Sequence, residues 1–272
     1  MARPSNASPA FTASPDYVQS LHRGLAVICA FDATHPLLTL TQVAARAALS
    51  PAVARRLLLT LEHLGYVRRD ARQFSLTPQV LELGFSYLAS LTVAKLAQPV
   101  MQQLSRQIDE SCSLAVLDGY DIVYVQRIAV RKVMTVSLGV GARLPAFCSS
   151  MGRMLLAGLA PQALEHWLAD LRPKAWTRFT LTNRKALRAA VRRAAAQGYC
   201  YVQQELQEGL CSIAVPVRAA GGEVIAALNA GMPYRVGARS HALRQVLPAL
   251  RAGAARIESS LHATAARSGS PP

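Results

Sequence analysis

The chain has 272 residues, 51% of them hydrophobic, with a formal net charge of +15 and a pI near 10.4. That length makes one or two domains, and the apolar content suffices for a full core, which excludes a disordered chain. The charge favours a polyanionic partner without naming it. Its distribution is uneven: residues 1–90 carry eight Lys/Arg against five Asp/Glu, whereas residues 172–272 carry fifteen against four. Five cysteines, Cys29, Cys112, Cys148, Cys200 and Cys211, are scattered and never spaced C-x-x-C. This argues against a zinc site and a secreted disulfide framework, and no cofactor is expected. No apolar run approaches the ~18 residues of a membrane span. Leu25–Phe31 looks like the core of an export signal, but its apolar spacing is helical and it lies too far along the chain. A cytoplasmic protein with no membrane partner is expected.

Residues 1–15 are rich in Pro, Ser and Ala and read as a flexible tail. Val18, Leu21, Leu25 and Ile28 mark one face of a helix that ends near Asp32, before His35-Pro36. Leu37–Leu40 reads as a short strand. A second helix follows from Thr41, its plausible cap, to Leu49. Ser50 is a good N-cap for a third helix, with Pro51 at its first position, where a missing N–H costs nothing. Val53, Leu57, Leu61 and Leu64 are expected to face inward. Ala52, Arg55, Arg56 and His63 project the other way, and Gly65 ends the helix. Tyr66–Arg69 and Gln73–Leu76 then alternate as strands around Asp70-Ala71.

Helix, tight turn, helix and a basic hairpin is the shape of a winged helix-turn-helix. Small Ala52 beside two arginines suits a helix entering a major groove, with Ser50 at its start. Arg68, Arg69 and Arg72 would lie near phosphates at the wing tip. The alternative is an ordinary solvated face and a surface hairpin.

Thr77-Pro78 starts a further helix with a narrow stripe of Leu81, Phe85 and Leu88, a linker or dimer contact over residues 78–92. Val93 to Ile108 is amphipathic and kinked or restarted at Pro99. Strands are then expected at Cys112–Leu117, Ile122–Ile128 and Val133–Leu138. Helices follow from Ser149 or Ser150 through Leu156, over Pro161–Leu168 and over Leu187–Gln197. Tyr199–Gln203, Ser212–Arg218 and Val224–Asn229 are further strands, and a helix from about Gly237 to His262 closes the chain. The expected class is α+β: a winged helix-turn-helix over residues 16–77, the linker, and a domain over residues 93–263 with a mostly antiparallel sheet of five or six strands flanked by helices. Residues 264–272 read as a second flexible tail.

The segments SLHRGLAVICAFD, LSPAVARRLLLTLEHLGYV, LTPQVLELGFSYLASL, GARLPAFCSSMGRMLLAGL and QGYCYVQQELQEGLCSIAVPVR resemble the IclR-type bacterial transcription regulators. ESCSLAVLDGYDIVYVQRI and the Leu-Ala-Gln-Pro of residues 96–99 are similar to the branch controlling protocatechuate, 4-hydroxybenzoate and β-ketoadipate catabolism. The resemblance implies a GAF-like effector domain, dimers or tetramers on palindromic double-stranded operators, and a small organic acid as effector. RNA polymerase is a further partner if the protein activates transcription. The family's ligand contacts carry over to Ser149, Ser150, Met151, Ser212, Asn229 and Gly231, and the chain departs from several members in having Asn229 and Gly231 rather than acidic or serine residues. Physically, the N–H groups of Ser150, Met151 and Gly152 at a helix start could receive a carboxylate, and an inward Arg143 would add a charged donor. Taken alone, the same serines read first as caps of a surface helix; with the resemblance, the pocket leads.

An enzyme is the rival class. Gly139-x-Gly141 lacks the third glycine of a dinucleotide loop, and Walker A, H-E-x-x-H and G-x-S-x-G are absent. Glu205 and Glu208 could pair as acid and base, although Glu205 as support for the pocket is the simpler role. Redox sensing by Cys148 or Cys211 has no thiolate-stabilising context. A last alternative makes the larger domain purely structural, for dimerisation.

Overall fold

The computed structural model describes residues 9–12, 14–32, 34–84, 87, 91–130 and 139–268. The chain divides into two compact units, residues 1–90 and 91–272.

In the first unit a single turn, α1 (Pro9–Thr12), lies within the expected N-terminal tail. It precedes α2 (Gln19–Ile28), β1 (Leu38–Thr39), α3 (Leu40–Arg46) and α4 (Pro51–His63). A hairpin of β2 (Val67–Asp70) and β3 (Gln73–Leu76) follows, and β1 pairs with β3 to make a three-stranded antiparallel sheet. Val27, Phe31, Leu38, Val43, Leu58 and Phe74 are among the residues of its core. Two sequence expectations shift here. The cap of α3 is Thr39, not Thr41: its side chain accepts from Gln42 N while the Gln42 side chain accepts from Thr39 N, a reciprocal capping box. The apolar stripe of α2 is also not the buried one, since Val18, Leu21 and Leu25 are exposed while Val27, Ala30 and Phe31 enter the core.

After β3, Thr77 caps a 3-10 turn over Pro78–Leu81, and its hydroxyl donates to Gly65 O. Of the linker stripe, Leu81 is exposed, while Phe85 and Leu88 lie outside the described residues.

The second unit opens with α5 (Thr92–Ile108), which runs through Pro99 as one helix rather than restarting there. Six strands follow: β4 (Ser111–Asp118), β5 (Asp121–Ile128), β6 (Arg143–Pro145), β7 (Cys200–Gln203), β8 (Leu210–Arg218) and β9 (Val224–Pro233). They form one antiparallel sheet in the order β6-β5-β4-β9-β8-β7. The strand expected at Val133–Leu138 lies outside the described residues. Between β6 and β7 come a 3-10 turn (Ala146–Cys148), α6 (Ser150–Leu156), α7 (Pro161–Asp170) and α8 (Arg184–Gln197). The chain closes with α9 (Ala238–His241), a π-helical stretch (Ala242–Val246) and α10 (Leu247–Ser268), which passes the expected helix end and enters the residues read as a tail.

Strand alternation divides the interior in two. Cys112, Leu114, Ile213, Val215 and Leu228 pack with α5 and α10 on one face. Ala115, Ile122, Tyr124, Ala214 and Ala227 pack with α6, α7 and α8 on the other. Helices therefore cover both faces of the sheet.

Candidate functional site

The first site is the exposed side of α4. The helix starts cleanly because the Ser50 side chain accepts from Val53 N and Pro51 fills the first position. Gly65, at φ +83°, provides the left-handed residue that releases the chain into the wing. The buried line of α4 is Ala54, Leu58 and Leu61, with Val53 and Leu57 half-buried beside it and Leu64 exposed. The inward face is thus turned slightly from the expected Val53, Leu57, Leu61 and Leu64. Ala52, Arg55, Arg56 and His63 all reach solvent. The guanidinium groups of Arg55 and Arg56 make no hydrogen bond or ion pair among the described residues.

The wing is short and braced. Arg68 Nε donates to Ser75 Oγ across the hairpin at 3.0 Å, and Arg69 Nε donates to Ala71 O at 3.0 Å. The Arg69 guanidinium also lies 5.8 Å from the Phe74 ring centroid. Ala71 turns the hairpin with φ +51°, and Arg72 beside it is exposed. On α3, Arg46 Nε donates to Ala30 O at 2.6 Å and its Nη2 pairs with Asp32. Hydrogen bonds from Thr34 and His35 hold the Asp32 carboxyl below the usual carboxylate range, so this clamp between α2 and α3 is charged at neutral pH.

The second site lies within the larger unit, where the sheet meets the start of α6. Ser149, Ser150, Met151, Ser212, Asn229 and Gly231 line one cavity. Strand register brings the sheet members together: Ser111 faces Gly231, Gly231 faces Ser212, and Ser113 faces Asn229. The helix side is tied to the sheet side by Ser150 Oγ and Ser212 Oγ, 2.8 Å apart. The cavity has about 50 Å³ of free space, well below the ~150 Å³ of an engineered apolar cavity that takes up benzene.

Two of the expected contacts do not reach this cavity. Gly152 is buried behind it, and its N–H already donates to Ser149 Oγ at 3.1 Å. A Cβ there would sit 2.1 Å from Ala146 O, so glycine allows α6 to lie against the preceding turn. Arg143 is engaged elsewhere: its Nη1 donates to Asp118 Oδ2 at 2.6 Å and its Nε to Asp121 Oδ2 at 3.2 Å. A strand at residues 143–145, pairing with Asp121–Val123, holds it there.

Among the described residues, the cation that lines the cavity is Arg127 on β5. Simple alternation would put it on the same face as Val125, which is buried in the opposite core. A β-bulge in the β4–β5 pair, between Leu114 and Ala115, shifts the register so that Arg127 faces Ser113 and shares the cavity with Tyr124. Arg127 Nη1 donates to Ser113 Oγ at 3.1 Å, and the guanidinium is 5.8 Å from the Tyr124 ring centroid. Burial pushes the Tyr124 hydroxyl up to about 12, so it stays neutral.

One wall is held by a buried ion pair. Arg153 donates to both Glu205 oxygens, at 2.7 and 2.6 Å, and its Nε donates to Phe147 O. Leu181 N donates to the same carboxylate. Glu205 is therefore committed to support and is not a free acid or base. Burial also raises the Cys148 thiol, to about 12, and raises Cys211, so neither holds a thiolate at neutral pH.

A winged helix-turn-helix joined in one chain to a separate sheet unit with an internal cavity has the layout of a DNA-binding protein with a second module. Residues 20–71 match the IclR helix-turn-helix domain, and residues 85–259 match the C-terminal domain of the bacterial transcriptional regulator IclR. The chain is 45% identical to the Pca regulon regulatory protein of Pseudomonas putida over 93% of this chain and 89% of that protein. It is 35% identical to the p-hydroxybenzoate hydroxylase transcriptional activator of Acinetobacter baylyi, over 87% and 89%. Among solved structures, an IclR homologue of Microbacterium hydrocarbonoxydans complexed with 4-hydroxybenzoate aligns with a TM-score of 0.76 and 29% identity, over 90% of this chain and 99% of that one. This protein belongs to the IclR family: it is a DNA-binding transcription regulator and not an enzyme. Among the described residues no helix is long and apolar enough to cross a membrane.

Proposed function

We propose that the protein controls aromatic-acid catabolic genes from the cytoplasm, binding a palindromic operator as a dimer or a pair of dimers and sensing a small aromatic acid. The observation that carries this reading is the cavity lined by Ser149, Ser150, Ser212, Asn229 and Arg127, on a scaffold shared with a 4-hydroxybenzoate complex. Two relatives, a Pca regulon regulatory protein and a p-hydroxybenzoate hydroxylase transcriptional activator, support the same class of effector. RNA polymerase becomes a partner if the operator response is activation.

On DNA, α4 lies in the major groove. Arg55 and Arg56 reach base edges or phosphates, Ala52 allows close approach, Ser50 fixes the helix start, and Arg68, Arg69 and Arg72 follow the backbone. The exposed stripe of Val18, Leu21 and Leu25, with exposed Leu81, supports a second copy covering apolar surface on the residue 1–90 unit.

The cavity volume supports a simple switch. An aromatic ring needs more room than about 50 Å³, so its entry displaces a wall. The wall at Glu205 is linked to α6 through Arg153, and to the 172–183 segment through Thr180 Oγ1, which donates to Glu205 O at 2.6 Å. Residues 78–92 are the linker that carries the change to the reading heads. The acid shifts operator binding only by its differential affinity for two arrangements, typically ~1–3 kcal/mol of coupling. Footprinting DNA upstream of the regulated genes, with and without 4-hydroxybenzoate and related acids, tests the proposal. Protection of paired half-sites that changes with an acid is expected; protection indifferent to every acid would overturn the sensing role.

A further inference from the structure

The sheet wall of the cavity contains a rank of paired residues on three adjacent strands. Arg127 on β5 faces Ser113 on β4, and Ser113 faces Asn229 on β9. Both ends of the rank carry a polar atom that is buried and has no hydrogen-bond partner among the described residues: Arg127 Nε and Asn229 Oδ1. Asn229 is 6% exposed and lines the cavity. Buried polar atoms are rarely left unpaired, because each has lost water without a replacement.

The two unmet needs are opposite in kind. Arg127 Nε is a charged donor that lacks an acceptor. Its Nη1 is fixed on Ser113, and the Tyr124 ring flanks the guanidinium. The carboxylate of Glu205 lines the same cavity but is taken in bidentate fashion by Arg153, so it does not neutralise Arg127. Asn229 Oδ1 is an acceptor that lacks a donor. The two ends stand two strand spacings apart, roughly 9–10 Å between backbones.

We infer that Arg127 holds the carboxylate of the effector while Asn229 accepts a hydrogen bond from a hydroxyl at its far end. The cavity thereby selects hydroxy acids whose two groups lie on opposite ends of a rigid frame. The inference rests on the acid-sensing reading above and assigns its polarity and specificity. An acid without the hydroxyl leaves Asn229 unpaired. One with the hydroxyl adjacent to the carboxylate cannot reach both ends.

Calorimetry on the full chain with 4-hydroxybenzoate, 2-hydroxybenzoate and benzoate tests this. The wild-type protein is expected to bind the 4-hydroxy acid at least about tenfold tighter than the other two. Arg127→Gln is expected to weaken 4-hydroxybenzoate about 10–100-fold, the range of a charge-assisted hydrogen bond. Asn229→Leu should bring 4-hydroxybenzoate down to the benzoate level while leaving benzoate within about twofold. Ligand-free melting separates these roles from packing: Asn229→Leu removes an unpaired buried atom and should melt near the wild-type temperature, whereas Arg127→Gln also gives up the Nη1–Ser113 bond and should melt slightly lower. If Arg127→Gln fails to fold, Arg127→Lys keeps the charge without the planar fork and should lose part of the affinity for every acid. Unchanged affinity in the Arg127 variants, or a hydroxyl preference retained in Asn229→Leu, overturns the assignment and leaves acid sensing standing. No heat from any of the three acids with wild-type protein overturns both.

Discussion

The two units differ in how they use their most prominent arginines. In residues 1–90, Arg55 and Arg56 extend into solvent with no partner among the described residues, on a helix whose other side is packed. In residues 91–272, Arg153 is tied to Glu205, Arg143 to Asp118 and Asp121, and Arg188 to Glu165. Several arginines of the more basic half are therefore taken up by carboxylates, whereas Arg55 and Arg56 of the less basic half are free of partners among the described residues. Net charge points the wrong way here, and availability of the guanidinium group is the better guide.

This contrast can be broken at graded cost. The largest effect is expected from Glu205→Gln or Arg153→Met, because removing one partner of a buried ion pair strands the other: about 3–5 kcal/mol of stability, read by denaturant unfolding of the full chain. Operator binding responds most to Arg55→Ala with Arg56→Ala. Each lost base or phosphate contact is worth about 1–3 kcal/mol, so footprints should vanish while effector heats and melting temperature hold. Gly152→Ala forces a Cβ onto the Ala146 backbone, with an overpacking cost of about 1–3 kcal/mol and loss of effector heat. Changing Arg68, Arg69 and Arg72 one at a time to Ala should weaken all DNA sequences alike and lower the salt slope by about 1 for each phosphate contact. The smallest effect belongs to the exposed Asp32 clamp. Its folded-state pKa is depressed, so its contribution is present above the unfolded carboxylate pKa and lost as pH falls through the folded value. Asp32→Asn should therefore lower stability at neutral pH and flatten the loss of stability below pH ~4, where the variant and the wild type converge.

Much of this was legible in the sequence where a local rule sufficed. Ser50-Pro51 and Gly65 mark the ends of α4 because capping depends only on neighbouring residues. Arg55 and Arg56 fall outward by helical period alone. The cavity serines and Asn229 came from family resemblance, which encodes a register that composition does not. What remained hidden depends on long-range pairing. The bulge opposite Leu114 turns Arg127 to the cavity, and no alternation rule reveals a one-residue slip. Arg143 was misplaced because the short strand that binds it is set by Asp118 and Asp121, over twenty residues earlier. The role of Gly152 is a contact with Ala146, visible only once α6 folds against the turn before it. The exposed stripe on α2 shows the converse: apolar period found the helix but not the side that the core would take.

On the proposed function, operator binding through the exposed arginines of α4 responds to an acid held in the cavity of the other unit. Measuring operator affinity of the full-length protein across a titration of 4-hydroxybenzoate tests it most directly. A shift of about 5–150-fold is expected, the usual range of allosteric coupling, with the shift lost in Arg127→Gln while acid-free operator affinity is unchanged. Calorimetric binding of the acid with no change in operator affinity or footprint would contradict it.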